Sequence, residues 1–412
     1  MKFSEIKLNQ IIDLLIILLP IAYILGSPFV NLILILGSLI FIFRVVKDKN
    51  FNWLKLLWVK IFILFWLYLI ISSFLATDIF NSFRASFSFI RFLLFSLLIS
   101  FYGFNSISIL RILNFWKFIL LIVLLDIFVQ YLFDYNTIGL FKHGVRYSGF
   151  FGNELIAGSY IFKITSTIIG ILFFNIFYFS KNKKLFYYSC LFSIFCFFIC
   201  LITGERMNFL LLFTLYFIFI FWILSYQQKH KQLLLICVSS FLIITSVAFY
   251  SESIKSRYFD MANIIKNFDQ SSYGKLFNSG YRLWIKNPVF GVGVKNFRIE
   301  CDEQLVDILT KNPSQLCSSH PHNLYLEVLT ETGFFGLILF ISLFLSYYRS
   351  VINFDLFKLK NKKDFILFGC VFSSILMIWP IGTSGSFFTT WNGSYLWIQI
   401  GIINYLHKVK YL

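Results

Sequence analysis

Two histidines that flank a proline are the best candidates for acid–base chemistry in this sequence. His320 and His322 enclose Pro321 in the segment SSHPHNLYLEVLTETG. Proline suits the first turn of a helix, and the dipole at a helix N-terminus disfavours a charged imidazole. The pattern therefore predicts a neutral His322 that can accept a proton as a general base.

Other roles for this segment stay open on the residues alone. His322 can simply cap or hydrogen-bond the loop, and Glu327 is a second candidate for the base. Two histidines at i and i+2 with scattered carboxylates do not match the ligand spacing of a zinc site, so we expect no metal.

Arg282 precedes the histidines in a stretch with helical spacing, residues 273–286, which Asn287 and Pro288 would stop. One side of that helix would carry Leu276, Phe277, Tyr281 and Trp284. An aromatic amphipathic helix outside the apolar spans is typical of the membrane interface, where the pyrophosphate of a lipid carrier is presented. Arg282 is thus a candidate phosphate ligand, and an ordinary interfacial arginine is the alternative.

Two more arginines lie near apolar runs. Arg206 stands in ITGERMNF, where a guanidinium so close to hydrocarbon must pair or face a wet cavity. It is a candidate bidentate ligand of pyrophosphate, with a Glu205 pair or a snorkelling side chain as alternatives. Arg146 belongs to a smaller basic cluster, FKHGVRYSGFFGN, which is either a solvated loop or a substrate-binding one.

The elements that must position these residues are membrane helices. Of 412 residues, 58% are hydrophobic and 13% charged, against about 25% charged in soluble domains. Apolar runs of roughly 20 residues recur, each long enough to cross a bilayer. We predict an all-α integral membrane protein, a single polytopic domain over 1–412 in which about twelve helices cross the membrane. The predicted helices are 11–27, 28–45, 57–76, 86–104, 113–133, 153–179, 185–203, 209–226, 233–250, 333–348, 364–382 and 392–406.

The basic residues indicate orientation. The formal charge of +17 is concentrated in alternate connectors, whereas residues 251–332 carry nine Lys or Arg and nine Asp or Glu. The positive-inside rule then places both termini in the cytoplasm and 251–332 outside, as one long periplasmic loop containing short helices. The charge is explained by topology, and we expect no nucleic-acid partner. Cys301 and Cys317 share this loop, where an oxidising compartment would let them pair.

The order of these motifs resembles the O-antigen ligase and O-antigen polymerase superfamily of bacterial envelope glycosyltransferases. An external arginine after a mid-chain helix is followed by R-x-W-x-x-x-P-x-x-G-x-G and then by H-N-x-Y-L-E…G-x-x-G. The residues are Arg206; Arg282, Trp284, Pro288, Gly291 and Gly293; then His322, Asn323, Tyr325, Leu326, Glu327, Gly333 and Gly336. GFFGNELIAGSYI, residues 149–161, is similar to a weaker upstream signature.

The resemblance implies a transferase of the bacterial inner membrane, active at the periplasmic face without metal or other cofactor. Its donor would be a glycan on undecaprenyl pyrophosphate, and its acceptor either lipid A core, for a ligase, or another lipid-linked glycan, for a polymerase. It implies that Arg206 and Arg282 hold the pyrophosphate and that His322 is the base. Substrate-binding roles are expected for Arg146, His320, Asn323, Tyr325 and Trp284.

Two other classes fit parts of the pattern. A twelve-helix transporter would match the helix count, but transporters tend to show repeats and charges within spans. Here the notable charges lie at the boundary of the apolar spans. A non-catalytic envelope scaffold is the third reading.

Overall fold

The computed structural model describes residues 2–178, 182–226, 255, 266–302 and 317–411. Their regular secondary structure is helical, and no β-strand occurs in these ranges. The α-helices are α1 Lys2–Ile17, α2 Leu19–Leu25, α3 Ser27–Asp48, α4 Leu57–Ser73, α5 Ile79–Ser88, α6 Ile90–Tyr102, α7 Ile109–Phe133, α8 Ala157–Phe177, α9 Lys183–Ile202, α10 Arg206–Tyr226, α11 Ser272–Lys286, α12 Leu324–Val351, α13 Lys362–Met377 and α14 Thr390–Tyr411.

The described part of the chain contains helices suited to cross a membrane. Seven helical stretches there are long and apolar enough to cross a bilayer, or eight if the bent pair α1 and α2 is one span. Eleven of the twelve predicted helices have a counterpart in the structure. The ninth, 233–250, lies outside the described residues, and the count of twelve spans stays a prediction.

Several predicted boundaries are wrong for local reasons. The first span breaks at Leu18, because Pro20 starts a new helix, and the two pieces meet at 48°. The predicted helix 153–179 begins only at Ala157. The helix predicted over 333–348 starts at Leu324 and continues through a kink.

The chain divides into two compact units. The first combines Met1–Gly26, Phe104–Asn263 and Leu356–Met377, and within it α8 is almost entirely buried among α7, α9, α10 and α13. The loop between α7 and α8 is fixed by two buried side chains of α7. Asp126 accepts the amide hydrogen of Thr137 at 3.0 Å, and Gln130 accepts that of Gly149 at 2.9 Å. Arg146 is carried by this anchored loop.

The second unit combines Ser27–Gly103, Ile264–Asp355 and Ile378–Leu412. Within it α6 packs against α3 and α14, and α4 packs against α12. Aromatic rings fill the contacts: Phe62 meets Trp397 edge-on at 4.8 Å and stacks on Phe89 at 5.5 Å. Phe89 also packs against Phe387 at 5.6 Å, which joins this aromatic cluster to the segment before α14.

Gly291 and Gly333, two glycines of the sequence motifs, allow the backbone of residues 289–291 to contact α12 closely. Gly333 has φ 68° and ψ −171°, which kinks α12. A Cβ at Gly333 would lie 2.2 Å from the carbonyl oxygen of Val289, and one at Gly291, with φ 71°, 2.5 Å from the carbonyl carbon of Glu331. Only glycine allows this approach of two backbones. Tyr68 of α4 completes the junction by donating to the carbonyl of Thr332 at 2.7 Å.

Candidate active site

The predicted amphipathic helix is confirmed as α11. Ser271 caps it by accepting the amide hydrogen of Gly274 at 3.0 Å, and it ends at Lys286 before the Asn-Pro pair. Leu276 and Leu283 are buried in the protein, whereas Tyr281, on the predicted aromatic side, is about half exposed. Tyr281 therefore lies on the face of α11 that is turned away from the rest of the protein.

Arg282 projects from the exposed part of α11. Its Nε donates to Asn278 Oδ1 at 3.0 Å, and it forms no ion pair with any described residue. Trp284 has a local role, because its Nε1 donates to the carbonyl of Pro288 at 3.3 Å and its ring packs 5.7 Å from that of Tyr281. The terminal nitrogens of Arg282 remain available for an anion.

The G-x-G motif pairs with the helix that follows the histidines. The amide of Val292 donates to the carbonyl of Thr330, and that of Gly293 to the carbonyl of Glu331, both at 2.9 Å. From the other side, Thr330 Oγ1 donates to the carbonyl of Gly280 in α11 at 3.0 Å. The arginine-bearing and histidine-bearing motifs are therefore parts of one folded structure.

The histidine segment differs from its predicted form in one respect. Pro321 is not in the first turn of a helix, because α12 begins at Leu324 and Asn323 is its N-cap, accepting the amide hydrogen of Leu326 at 3.0 Å. His322 directly precedes this cap with φ 56°, an uncommon backbone conformation for a residue with a side chain. It does lie next to a helix N-terminus, as predicted.

Residues 378–387, between α13 and α14, hold the histidine segment in place. Asn323 Nδ2 donates to the carbonyls of Pro380 and Gly382 at 2.9 and 3.2 Å. Ser384 donates its amide hydrogen to the carbonyl of His322 at 2.8 Å, and its own carbonyl lies 3.1 Å from His320 Nε2.

Tyr325 adds one more bond of this kind, from its hydroxyl to the carbonyl of Ile378 at 3.0 Å. Three side chains expected to bind substrate, those of His320, Asn323 and Tyr325, thus bond to the backbone of 378–387. Sequence reasoning missed this segment. Its only signal is the run GTSGS between two apolar spans.

Both histidines lie in surroundings that favour the neutral ring. Burial, followed by the neighbouring charge of Lys295, lowers the pKa of His320 to about 4. Burial also lowers the pKa of His322 to about 4, with His320 as a second cause and a hydrogen bond with the Ser384 backbone opposing the shift. The ring centroids are 4.1 Å apart. His322 is neutral at pH 7, as expected, but burial is the main cause.

His322 is the more accessible of the two rings. Its Nε2 is 3.5 Å from Ser318 Oγ, and its ring meets that of Tyr273 edge-on at 6.0 Å. Glu327, the second candidate base, is fully buried, and its Oε2 accepts the amide hydrogen of Phe387 at 2.9 Å. The geometry favours His322 over Glu327 for contact with a substrate.

The disulfide between Cys301 and Cys317 is present, with the Cα atoms 5.7 Å apart. Its sulfurs pack with Leu283, Val292 and Phe297. The bond ties the chain just before the histidines to the segment that follows the G-x-G turn.

In the first unit, Glu205 has partners other than Arg206. Its carboxylate accepts the amide hydrogens of Gly158 and Ser159 at 2.6 and 3.1 Å, so it caps the N-terminus of α8, and it accepts from Asn208 Nδ2 at 2.8 Å. Burial raises the pKa of Glu205 to about 7, against the lowering effect of these bonds and of Arg146.

Arg146 approaches the same carboxylate. Its Nη2 is 3.9 Å from Glu205 Oε1 and donates to the carbonyl of Leu155 at 3.2 Å. Arg206 is the first residue of α10, and its Nε is buried with no hydrogen-bond partner among the described residues. The predicted alternative, an Arg206–Glu205 ion pair, does not occur there.

The sequence-predicted site residues thus fall in two groups. The second unit brings together Arg282, Trp284, His320, His322, Asn323 and Tyr325. The first unit holds Arg146 and Arg206 beside Glu205. The part of the chain that the structure describes has no group of three or more His, Cys, Asp or Glu placed to hold a metal ion, and independence from metal stays a prediction.

Most of the predicted site residues lie within one match to a family model. Residues 191–341 match the family model described as O-Antigen ligase, a range that includes Arg206, Arg282 and both histidines. A search of curated proteins found no matching relative. The match at 191–341 supports the resemblance to the O-antigen ligase superfamily that the motifs predict.

Proposed function

We propose that this protein is an O-antigen ligase, which transfers a glycan from undecaprenyl pyrophosphate to a sugar hydroxyl of lipid A core without a metal or other cofactor. The observation that carries the proposal is His322, a neutral and accessible imidazole fixed beside the N-terminus of α12 within the family domain. The reaction takes place at the periplasmic face of the inner membrane.

His322 is the general base in this proposal. A sugar hydroxyl has a pKa far above neutral, so it attacks well only if its proton leaves as the new bond forms. His322 takes that proton while the oxygen bonds to the anomeric carbon of the donor. The bond from that carbon to the pyrophosphate oxygen breaks, and undecaprenyl pyrophosphate leaves with the electron pair.

The arginines bind the donor and stabilise the leaving group. Arg206 is suited to an anion, because its Nε has no hydrogen-bond partner among the described residues and it stands at the N-terminus of α10, where the helix dipole favours negative charge. Arg282 is suited because Asn278 orients its Nε and leaves the terminal nitrogens available. Guanidinium groups bind phosphates in bidentate geometry, which suits a pyrophosphate.

The remaining predicted site residues support these roles. We assign Arg146 to substrate binding, since among the described residues only its Nη2 is engaged and its Nε has no partner. His320, Asn323 and Tyr325 position His322 through residues 378–387, and Trp284 fixes the end of α11 near Arg282.

The proposed topology has twelve spans, with both termini in the cytoplasm and the 251–332 loop in the periplasm. A reporter active only in the periplasm should give signal after Asn208 or Asp302. It should stay silent after Lys183, Lys231 or Lys362. Signal at Lys231 would contradict this topology and place the loop on the cytoplasmic side.

The glycan that accumulates on the lipid carrier in the absence of the protein distinguishes a ligase from a polymerase. In a deletion strain we expect long glycan polymer to remain on undecaprenyl pyrophosphate, because polymerisation continues while transfer to lipid A core stops. Lipid extracts resolved by gel electrophoresis and mass spectrometry measure the chain length. Single repeats on the carrier would instead identify a polymerase, and an unchanged lipid pool would contradict both assignments.

Arg282→Lys and Arg206→Lys should each lower turnover strongly while expression and membrane insertion stay normal. Lysine keeps the charge but lacks the planar pair of donors that grips a pyrophosphate. Transfer is measured in proteoliposomes with purified lipid-linked donor and acceptor. Arg298→Lys, an exposed arginine of the same loop, is the matched control. Full activity in both test variants would leave only a diffuse electrostatic role for these residues.

His322→Ala should lose about 10²–10⁴-fold in rate, the usual contribution of a general base, yet still bind donor. In the wild type, kcat/KM should fall as the pH drops through about 4, because protonation of His322 then removes the base. The residual kcat/KM of His322→Ala should not show this fall near pH 4. His320→Ala should be milder and the exposed His143→Ala silent. An active His322→Ala protein together with an inactive Glu327→Gln protein would transfer the role to Glu327.

A further inference from the structure

The loop that follows α7 exposes large apolar side chains that the proposed reaction does not use. Within residues 135–141, Phe141 is 75% and Ile138 is 65% exposed, and Tyr135 and Leu140 are exposed as well. Single exposed apolar side chains are common on proteins and need no explanation. A group of four in seven consecutive residues indicates a surface that another apolar phase covers.

This group continues the exposed side of α7. The helix is apolar and long enough to cross a bilayer, and its exposed large apolar side chains lie on one stripe, which faces lipid in a spanning helix. At the end of the stripe, the ring of Phe133 lies 6.2 Å from that of Tyr135, which lies 6.4 Å from that of Phe141. The apolar surface of the span therefore extends into the loop. The residues of the stripe are Phe118, Ile122, Leu125, Leu132 and Phe133.

The backbone of the loop is suited to surroundings that are poor in water. All five amide hydrogens from Asn136 to Leu140 are bonded within the protein. Asn136 donates its own to the carbonyl of Leu140 at 2.9 Å, and its Oδ1 accepts those of Ile138 and Leu140 at 3.2 and 2.7 Å. The other two bond at 3.0 Å to Asp126 and to the carbonyl of Asn136. Since unpartnered amides are costly away from water, this pattern permits contact with lipid.

The charges at the two ends of the loop neutralise each other. Lys142 Nζ is 2.6 Å from Asp134 Oδ1, and the amide of Lys142 donates to the carbonyl of Asp134 at 2.9 Å. A paired lysine does not oppose contact with a bilayer, because its stem can lie along apolar surface while its charge stays at the boundary. Beyond this pair, the backbones of His143 and Arg146 bond to each other at 3.1 Å. The apolar part of the loop is thus joined to Arg146 by paired backbone.

We infer that residues 135–141 form a membrane anchor, in which Tyr135, Ile138 and Phe141 enter the interfacial region of the bilayer beside the end of α7. Aromatic and apolar side chains at the end of a span favour this region. Lipid is the partner that fits, because the surface is continuous with the lipid-facing stripe of α7. The anchor keeps Arg146, five residues after Phe141, near the phospholipid headgroups. This role goes beyond the proposed function and is the same for a ligase and a polymerase.

Site-directed spin labelling measures the depth of the loop in the membrane. A ketone-bearing amino acid replaces Ile138 or Phe141 in the full chain and is coupled to a nitroxide, so the native cysteines stay in place. The protein is reconstituted in nanodiscs of phosphatidylethanolamine and phosphatidylglycerol that hold a single copy. Relaxation of the nitroxide by oxygen, which concentrates in lipid, is compared with relaxation by a water-soluble nickel complex.

The ratio of oxygen relaxation to nickel relaxation is the expected signature. At Ile138 and at Phe141 it should exceed the ratio at Glu154 by at least about threefold, because interfacial side chains are partly buried in lipid. Glu154 is the matched control, an exposed charged residue of the same α7–α8 connection. A label at Leu125 on the stripe of α7 gives the value for the bilayer interior. The two test positions are independent, so either one tests the anchor if the other variant does not fold.

Equal ratios at Phe141, Ile138 and Glu154 would overturn the inference, since the loop would then lie in water. Exclusion of both reagents from Ile138 and Phe141 would overturn it as well, in favour of burial against the protein itself. Neither readout depends on transfer activity. Failure of the proposed function would therefore leave the result at these positions unchanged.

Discussion

The arrangement of the second unit depends on one constraint. Buried backbone amides and carbonyls outside the helices must form hydrogen bonds within the protein. Three non-helical segments meet this constraint with one another and with α12. The G-x-G turn bonds to the carbonyls of Thr330 and Glu331, and Ser384 bonds to His322. Asn323 bonds to two carbonyls of residues 378–387. These bonds hold the three segments and α12 together.

The same burial determines the chemistry of the site. An imidazole removed from water loses affinity for its proton, so both histidines are neutral at pH 7. In the first unit, the carboxylate of Glu205 is occupied by α8, Asn208 and Arg146, so Arg206 has no anionic partner among the described residues. Polar groups fixed in a water-poor site interact more strongly with charge than they would in water. Burial therefore provides a proton acceptor in the second unit and, in the first unit, a cation that has no anionic partner among the described residues.

Local patterns in the sequence were sufficient for part of this structure. Apolar runs predicted the helices, and the spacing of residues 273–286 with the Asn-Pro stop predicted α11. The location of Cys301 and Cys317 in one external loop predicted that they pair. The contacts missed join residues far apart in sequence, such as Lys295 with Ser386. The spacing of apolar residues does not indicate which distant residues come into contact. It therefore also did not indicate which side of α11 packs against the rest of the protein.

The low basicity of His322 also bears on the order of events in the proposed reaction. A base with a pKa of about 4 in the free protein is a weak proton acceptor. A negative charge brought nearby raises the pKa of an imidazole, and a bound pyrophosphate carries such charge. Donor binding would thus strengthen the base that must act on the acceptor. Burial lowers the basicity of His322 in the free protein. His322 would therefore abstract the proton efficiently only when the donor is bound.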